Sequence, residues 1–325
     1  MLARSRSALA ALFVGSASLT WALAACSDGA PVTDAGADAP ADVVSPTQDA
    51  SSSDAGDAAS GDVPVEIRFA GRVGAQPFSC SKTFTVGTPA TEVSPHDFRL
   101  YVHDVRLVRA DQTSVPIALQ QDGKWQYQNV ALLDFEDKTG SCANGTPETN
   151  DRVRGTVPAG SYVGLAFQVG VPFALNHANA ATAPSPLNLT AMFWNWAGGY
   201  KFLRVDVRAT APDGGVMDGG APPVFNVHLG STACQGNPAE GGVVTSCDRP
   251  NRPSISFPNF DPAKNLVVVD YAALVAQSNV AVNGGGMPGC MSEPSDPECV
   301  VLLPRLGLDV ATGAPVAGQV LFKVE

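Results

Sequence analysis

The stretch Lys201-Phe202-Leu203-Arg204-Val205-Asp206-Val207-Arg208 alternates by twos, and that period decides the fold. Lys201, Leu203, Val205 and Val207 fall on one side of an extended chain, and Phe202, Arg204, Asp206 and Arg208 on the other. Working outward, other short β-rich runs recur between Gly, Pro, Asn and Asp turns: residues 65–73, 98–108, 126–133, 161–169, 192–196, 224–229, 254–257, 266–271 and 320–324. Such runs bounded by turn residues are strands, while the one helical stretch is short, over residues 270–277. With no internal repeat, the reading is an all-β fold, an antiparallel β-sandwich with long decorated loops.

The N-terminus is of another kind. Arg4 and Arg6 precede an apolar run from Ala8 to Ala25, closing in Leu23-Ala24-Ala25-Cys26. A charged start, a short apolar core and small residues at its end make a secretory signal, and the last four residues resemble the lipobox of bacterial lipoproteins. Residues 1–25 are therefore expected to be a signal peptide, with Cys26 lipidated. Residues 27–62 hold eight Asp and no Lys or Arg, so residues 26–62 form a lipidated Cys and an acidic tether too polar to fold. The folded domain is residues 63–325. Of the chain's 31 acids and net charge of −11, the tether takes eight, and without the signal-peptide arginines the remainder is 23 acids against 18 bases. A domain so mildly acidic, with no basic cluster, excludes nucleic acid as a partner. The lipid would be the membrane attachment, and Ser27 in place of Asp after the lipidated Cys favours the periplasm-facing outer membrane or cell surface.

Export makes the other six cysteines disulfide candidates. Six allow fifteen connectivities. Cys234 and Cys247, and Cys290 and Cys299, lie at short separations in Gly/Pro-rich loops, which leaves Cys80 with Cys142. The competing reading, a thiolate metal site, is disfavoured because no Cys-x-x-Cys occurs. Asp134-Phe135-Glu136-Asp137 only superficially resembles a calcium loop, since Lys138 falls where an oxygen ligand is needed, and is expected to be a turn with solvated acids. Nucleophile, metalloprotease and phosphate-loop motifs are absent.

The four histidines are His96, His103, His177 and His228. His177 and His228 stand where strands hand over to loops, the usual place for sites. The densest feature is Met192-Phe193-Trp194-Asn195-Trp196-Ala197-Gly198-Gly199-Tyr200-Lys201-Phe202. As a strand it would put Met192, Trp194 and Trp196 on one face. Core tryptophans beside a Gly turn, or a sugar-stacking platform of a carbohydrate- or surface-binding lipoprotein, both fit that pattern.

Several segments in order carry a resemblance: Phe98-Arg99-Leu100-Tyr101-Val102, Ala131-Leu132-Leu133-Asp134-Phe135, Thr139-Gly140-Ser141-Cys142, Gly170-Val171-Pro172-Phe173-Ala174-Leu175-Asn176-His177, the Trp-x-Trp and Gly199-Tyr200-Lys201-Phe202 pair, and His228-Leu229-Gly230-Ser231-Thr232-Ala233-Cys234. Together they are similar to the MbnP-like family, copper-binding proteins tied to methanobactin operons and also called metallo-mystery-pair four-Cys proteins. The resemblance implies a copper-binding β-sandwich, not itself an enzyme. It implies a di-haem partner of the cytochrome c peroxidase family, MbnH-like, that oxidises one tryptophan to kynurenine. Carried over to this chain, His177 and His228 are the first ligands and His103 a third, with His96 weaker. Trp194 and Trp196 are the modification candidates, and Lys201, Arg204 and Asp206 would orient the site or dock the partner. Met192 would be core filler rather than an axial thioether. One copper ion, as Cu(I), suits neutral nitrogen donors at low coordination number.

Overall fold

The computed structural model describes residues 61–194, 198–210, 223–236 and 243–325. Cys26, the acidic tether and Trp196 lie outside them. No helix among the described residues is long and apolar enough to cross a membrane.

In chain order the strands are β1 (Asp62–Val73), β2 (Gln76–Pro77), β3 (Phe84–Val86), β4 (Thr91–Val108), β5 (Ser114–Pro116), β6 (Ala118–Leu119), β7 (Gln126–Tyr127), β8 (Val130–Asp134) and β9 (Arg152–Pro158). There follow β10 (Gly164–Val169), β11 (Leu203–Ala209), β12 (Val224–Leu229), β13 (Thr232–Gln235), β14 (Ser246–Arg249), β15 (Ser254–Phe257), β16 (Val267–Asp270), β17 (Gly289–Cys290) and β18 (Phe322–Val324). Three short helices interrupt them: α1 (Phe173–Asn176), α2 (Tyr271–Val275) and α3 (Pro297–Arg305). The first sheet runs β18-β16-β1-β9-β6, with β2 beside β1. The second runs β15-β10-β4-β11-β12-β17, with β3, β5 and β8 also on β4 and β7 on β8. β13 and β14 form a separate hairpin.

The sheets meet face to face as a sandwich. Phe167 of β10 packs edge-on against Phe69 of β1, centroids 5.8 Å apart, and against Phe322 of β18 at 5.3 Å. Alternation explains which side chains reach that interior. On β9, Val153 and Val157 are buried, whereas Arg152 and Arg154 turn outward to Glu66 on β1 at 2.5 and 2.8 Å. Pairing is antiparallel except for β1 with β16 and β12 with β17, which run parallel.

β4 is the axis of the second sheet. Phe98 and Leu100 lie opposite Val205 and Leu203 on the inner face, while Asp97 and Arg99 lie opposite Asp206 and Arg204 on the other. That outer face is also covered. The segment between β10 and β11 crosses it, Tyr101 donating to the Pro186 carbonyl at 2.9 Å and stacking edge-on against Tyr200. Both faces of β4 being packed, its centre is buried without alternation.

Several sequence expectations need correcting. The alternating strand begins at Leu203, and Lys201 turns toward Arg204: both donate to the Ala191 carbonyl, at 3.1 and 2.9 Å. Residues 192–194 are no strand; Thr190–Met192 is a 3-10 turn and Phe193 forms an isolated bridge with Tyr200. Met192 is fully buried, as core filler should be. Residues 126–133 break into β7 and β8 at Gln128, whose φ is +52°. Ser94 and Pro95, which precede His96, lie within β4. α2 falls inside the expected helical stretch, but α3 lies where a loop was expected. The three disulfides pair Cys80 with Cys142, Cys234 with Cys247 and Cys290 with Cys299.

Candidate metal centre

The segment following α1 is shaped by one buried amide. Asn176, at the end of α1, accepts from the Tyr200 backbone N–H at 3.0 Å and donates to the Gly198 carbonyl at 3.3 Å. The Phe193–Tyr200 bridge and a 3.0 Å bond from Trp194 N–H to the Gly199 carbonyl close the loop that carries the Trp-x-Trp. Gly199 has φ +79°, and a Cβ there would run into Asn176, so the turn takes only glycine.

That clamp brings predicted residues together. The six-membered edge of the Trp194 indole lies against Gly198 and Gly230, and a Cβ on either glycine would collide with the ring. Gly230 stands two positions past His228, so strand alternation puts the indole on the His228 side of β12, roughly 7 Å along the chain. His177 follows Asn176 directly; its Nε2 lies 3.1 Å from Asn176 Nδ2 and 3.4 Å from Cys247 Sγ. Contacts through Gly198 and Gly230 thus place Trp194 between the segment that carries His177 and the end of β12 that carries His228. Trp194 is half-buried, with its benzo edge against the two glycines.

His228 is fixed from below. Its Nε2 is 2.6 Å from Asp206 Oδ1, and the other oxygen of Asp206 takes Arg204 Nη2 at 2.7 Å. Burial alone would raise the Asp206 carboxyl, but the His228 hydrogen bond and the Arg204 charge hold it at about 2. Arg204 also reaches Asp97 at 3.1 Å, which pairs with Arg99 through two hydrogen bonds. Arg99 in turn lies 3.7 Å from Glu136. The register sets His228, Arg204, Arg99 and Asp134 side by side in one row across four strands.

This ionic row overturns the reading of residues 134–137 as solvated acids. Asp134 and Glu136 are 1% and 0% exposed. Burial pushes Asp134 up to about 8 against the pull of Arg99, and raises Glu136 as well. Glu136 is held by the backbone N–H groups of Lys138 and Thr146, at 3.0 and 2.9 Å. Sequence reasoning also missed Asn176 and Arg99. The capping position of Asn176 next to a candidate ligand was the available signal for the first; a lone Arg between apolar strand residues was the signal for the second.

The structure does not bring His103 into the cluster. His103 lies four residues along β4 from Arg99, and His228 two strands across from Arg99. At strand spacings that is roughly 13 Å along and 10 Å across. His103 is buried, its Nδ1 3.1 Å from Asp104, and burial lowers its ring to about 4, with Arg252 adding to the effect. Lys201, lowered to about 8 by burial and then by Arg204, lies on the ionic side.

Donor chemistry tests which metal these residues suit. Among the described residues, the groups of three possible ligands are His177 with Cys234 and Cys247, and Glu136 with Cys80 and Cys142. In each, both sulfurs are committed to a disulfide, so neither offers thiolates. The donors left among the candidate ligands are the imidazoles of His177 and His228, nitrogens that suit copper when neutral. An indole nitrogen is a donor only and cannot ligate as it stands.

Comparison with known proteins identifies the family. A sequence model of the MbnP family matches residues 62–292, from the start of β1 to the segment after β17. Among solved structures the chain is similar to MbnP from Methylosinus trichosporium, at 36% identity and a TM-score of 0.71, covering 81% of this chain and 98% of that one. No curated protein matches. α3 and β18 fall beyond the family span.

Proposed function

The chain belongs to the MbnP family, associated with methanobactin operons, and on that premise we propose that it is an exported, lipid-anchored copper-binding protein rather than an enzyme. The observation that carries this reading is that Trp194 lies against Gly198, held by the residue before His177, and against Gly230, two positions past His228, in a protein whose six described cysteines are all disulfide-bonded. Two imidazoles beside an indole are two donors short of a thiolate or carboxylate cage and match a low-coordinate Cu(I).

The third donor is made by oxidation. Cleavage of the indole C2–C3 bond removes C2 as formate, leaves C3 as a ketone and frees the ring nitrogen as an arylamine that can coordinate. This is a four-electron oxidation; hydrogen peroxide, reduced at a di-haem MbnH-like partner, is the oxidant. Trp194 is the first candidate, and Trp196, two residues on in the sequence, is the second. The protein serves in copper acquisition, storage or delivery at the periplasm-facing outer membrane or the cell surface. Cys26 holds it there by lipid, and the acidic segment spaces the domain from the bilayer.

Intact-mass and metal analysis of the natively exported protein, with and without the haem partner, tests this. One tryptophan losing a carbon and gaining an oxygen, with copper copurifying, is expected. Unmodified protein without copper in the presence of the partner would sink the reading. Glycan binding that survives chelators and His177→Ala would instead favour a carbohydrate-binding lipoprotein.

A further inference from the structure

We infer that Asp206 is the positioning residue of the copper centre and that it commits His228 to ligate through Nδ1. The inference rests on the copper reading above and names which nitrogen of which imidazole that reading uses.

The argument begins at the 2.6 Å contact between His228 Nε2 and Asp206 Oδ1. A carboxylate only accepts hydrogen bonds, so the proton in that contact belongs to Nε2. A neutral imidazole carries one N–H, which leaves the lone pair on Nδ1. Metal-bound histidines commonly donate their other ring N–H to a carboxylate, which fixes tautomer and ring orientation. Here Asp206 stands in that place for His228.

Asp206 is itself held. Arg204 contacts Asp206 Oδ2 through Nε and Nη2 at 2.8 and 2.7 Å, and Arg204 Nη1 donates to the Ala191 carbonyl at 2.9 Å. Ala191 lies in the 3-10 turn leading into Trp194. Asp97, taking both Arg99 and Arg204, braces the guanidinium from the far side. On the other flank, Ser292 Oγ donates to the His228 carbonyl at 2.8 Å and accepts from Gly230 N–H at 2.9 Å. The strand carrying His228 and the glycine under the Trp194 ring are pinned by one hydroxyl. One chain of contacts therefore ties the orientation of His228 to the loop that presents the tryptophan. Asp206 is 8% exposed and His228 7%, so water does not offer a competing acceptor at low cost.

The test is nitrogen-15 NMR of the full-length chain labelled at histidine, with the His228 signals assigned by their loss in His228→Gln. In the metal-free protein Nδ1 should be the bare nitrogen, and titration with Cu(I) should move Nδ1 and leave Nε2 protonated. Copper affinity is measured alongside by competition with a chromogenic chelator. Asp206→Ala should let both tautomers appear and weaken copper about 10–100-fold, the usual cost of removing such a partner. Asp206→Asn keeps an acceptor oxygen, so it should retain the tautomer and recover most of the affinity; it also stands in should the alanine variant not fold. A protonated Nδ1 in the wild type, or affinity unchanged in both variants, would overturn the assignment. A bare Nδ1 with no copper bound would instead sink the copper reading and leave the tautomer assignment intact.

Discussion

Arg99 shows how much of this protein rests on single charged residues placed out of sight. Its side chain is fully buried on the outer face of β4 with Asp97, Glu136 and Asp134 around it. Burial would drive its charge off, but Asp97 and then Asp134 and Glu136 hold it on. Removing Arg99 leaves the Asp97 carboxylate it pairs with dry and short of a partner, and breaking a buried pair in this way costs about 3–5 kcal/mol. Arg99→Met should therefore lower the urea midpoint by that equivalent, whereas Arg106, on the same strand and away from the cluster, should tolerate Met with little change. Asp134 gives this residue scale a pH signature. The unfolded carboxyl ionises near its ordinary value of 3.8, while the folded one keeps its proton to about 8. Across that window the folded state binds more protons, so stability falls as pH rises. His103 acts oppositely between about 4 and 6.5, because its folded ring is the harder to protonate. Lys201, which gives up its proton near 8 in the folded state, opposes the trend from there upward, so the useful interval is between His103 and Lys201, where urea midpoints should drop as pH rises and Asp134→Asn should flatten the drop; an unchanged slope would contradict it. None of this was legible in Asp134-Phe135-Glu136-Asp137, because burial there comes from chain segments distant in sequence.

At the scale of elements, the strands with clean alternation were legible and the segments shaped by contacts were not. β12 and β15 fall where the sequence put them, since Val224–Leu229 and Ser254–Phe257 obey the period of two between turn residues. The Trp-x-Trp stretch looked like a strand because aromatic residues favour one. Asn176 and Gly199 instead hold its described flanks, Trp194 and Gly198–Tyr200, in bonds unlike a strand's, a tertiary cause that no local propensity registers. α3 did carry its own signal: Asp296 caps it by accepting from Glu298 N–H at 3.2 Å, with Pro297 in the first turn. The Gly/Pro-rich surroundings masked it. The loop offers a direct prediction. Gly230→Ala forces a methyl into the Trp194 ring, an overpacking worth about 1–3 kcal/mol. The variant should unfold at lower urea and show red-shifted tryptophan emission in the folded state, as the indole moves toward solvent. A blue-shifted or unchanged spectrum would mean that Trp194 does not rest on Gly230.

Over the whole molecule, three disulfides secure regions that strand pairing leaves loose, and they differ in span and in exposure. Cys80–Cys142 closes 62 residues and Cys290–Cys299 only nine. On loop-closure entropy these correspond to about 4 and under about 3 kcal/mol. Both are buried at every sulfur-bearing residue, whereas Cys234 and Cys247 are half-buried on the β13–β14 hairpin. Access governs thiol exchange, so the two properties predict different orders. Graded reduction of the folded protein, followed by alkylation and mass mapping, should open Cys234–Cys247 first. Paired serine substitutions should rank the other way, with Cys80→Ser/Cys142→Ser lowering stability most. If Cys80–Cys142 opened first under mild reductant, the loop it closes would have to breathe. The Glu136 cluster beneath it would then be wetter than its burial implies. Because Cys247 touches His177, the first reduction should also perturb the candidate centre, detected as a shift of the His177 ring signals before any loss of fold. The bond that is easiest to reach is therefore the one most closely coupled to the proposed function, and the bond that matters most to stability lies behind the buried acids.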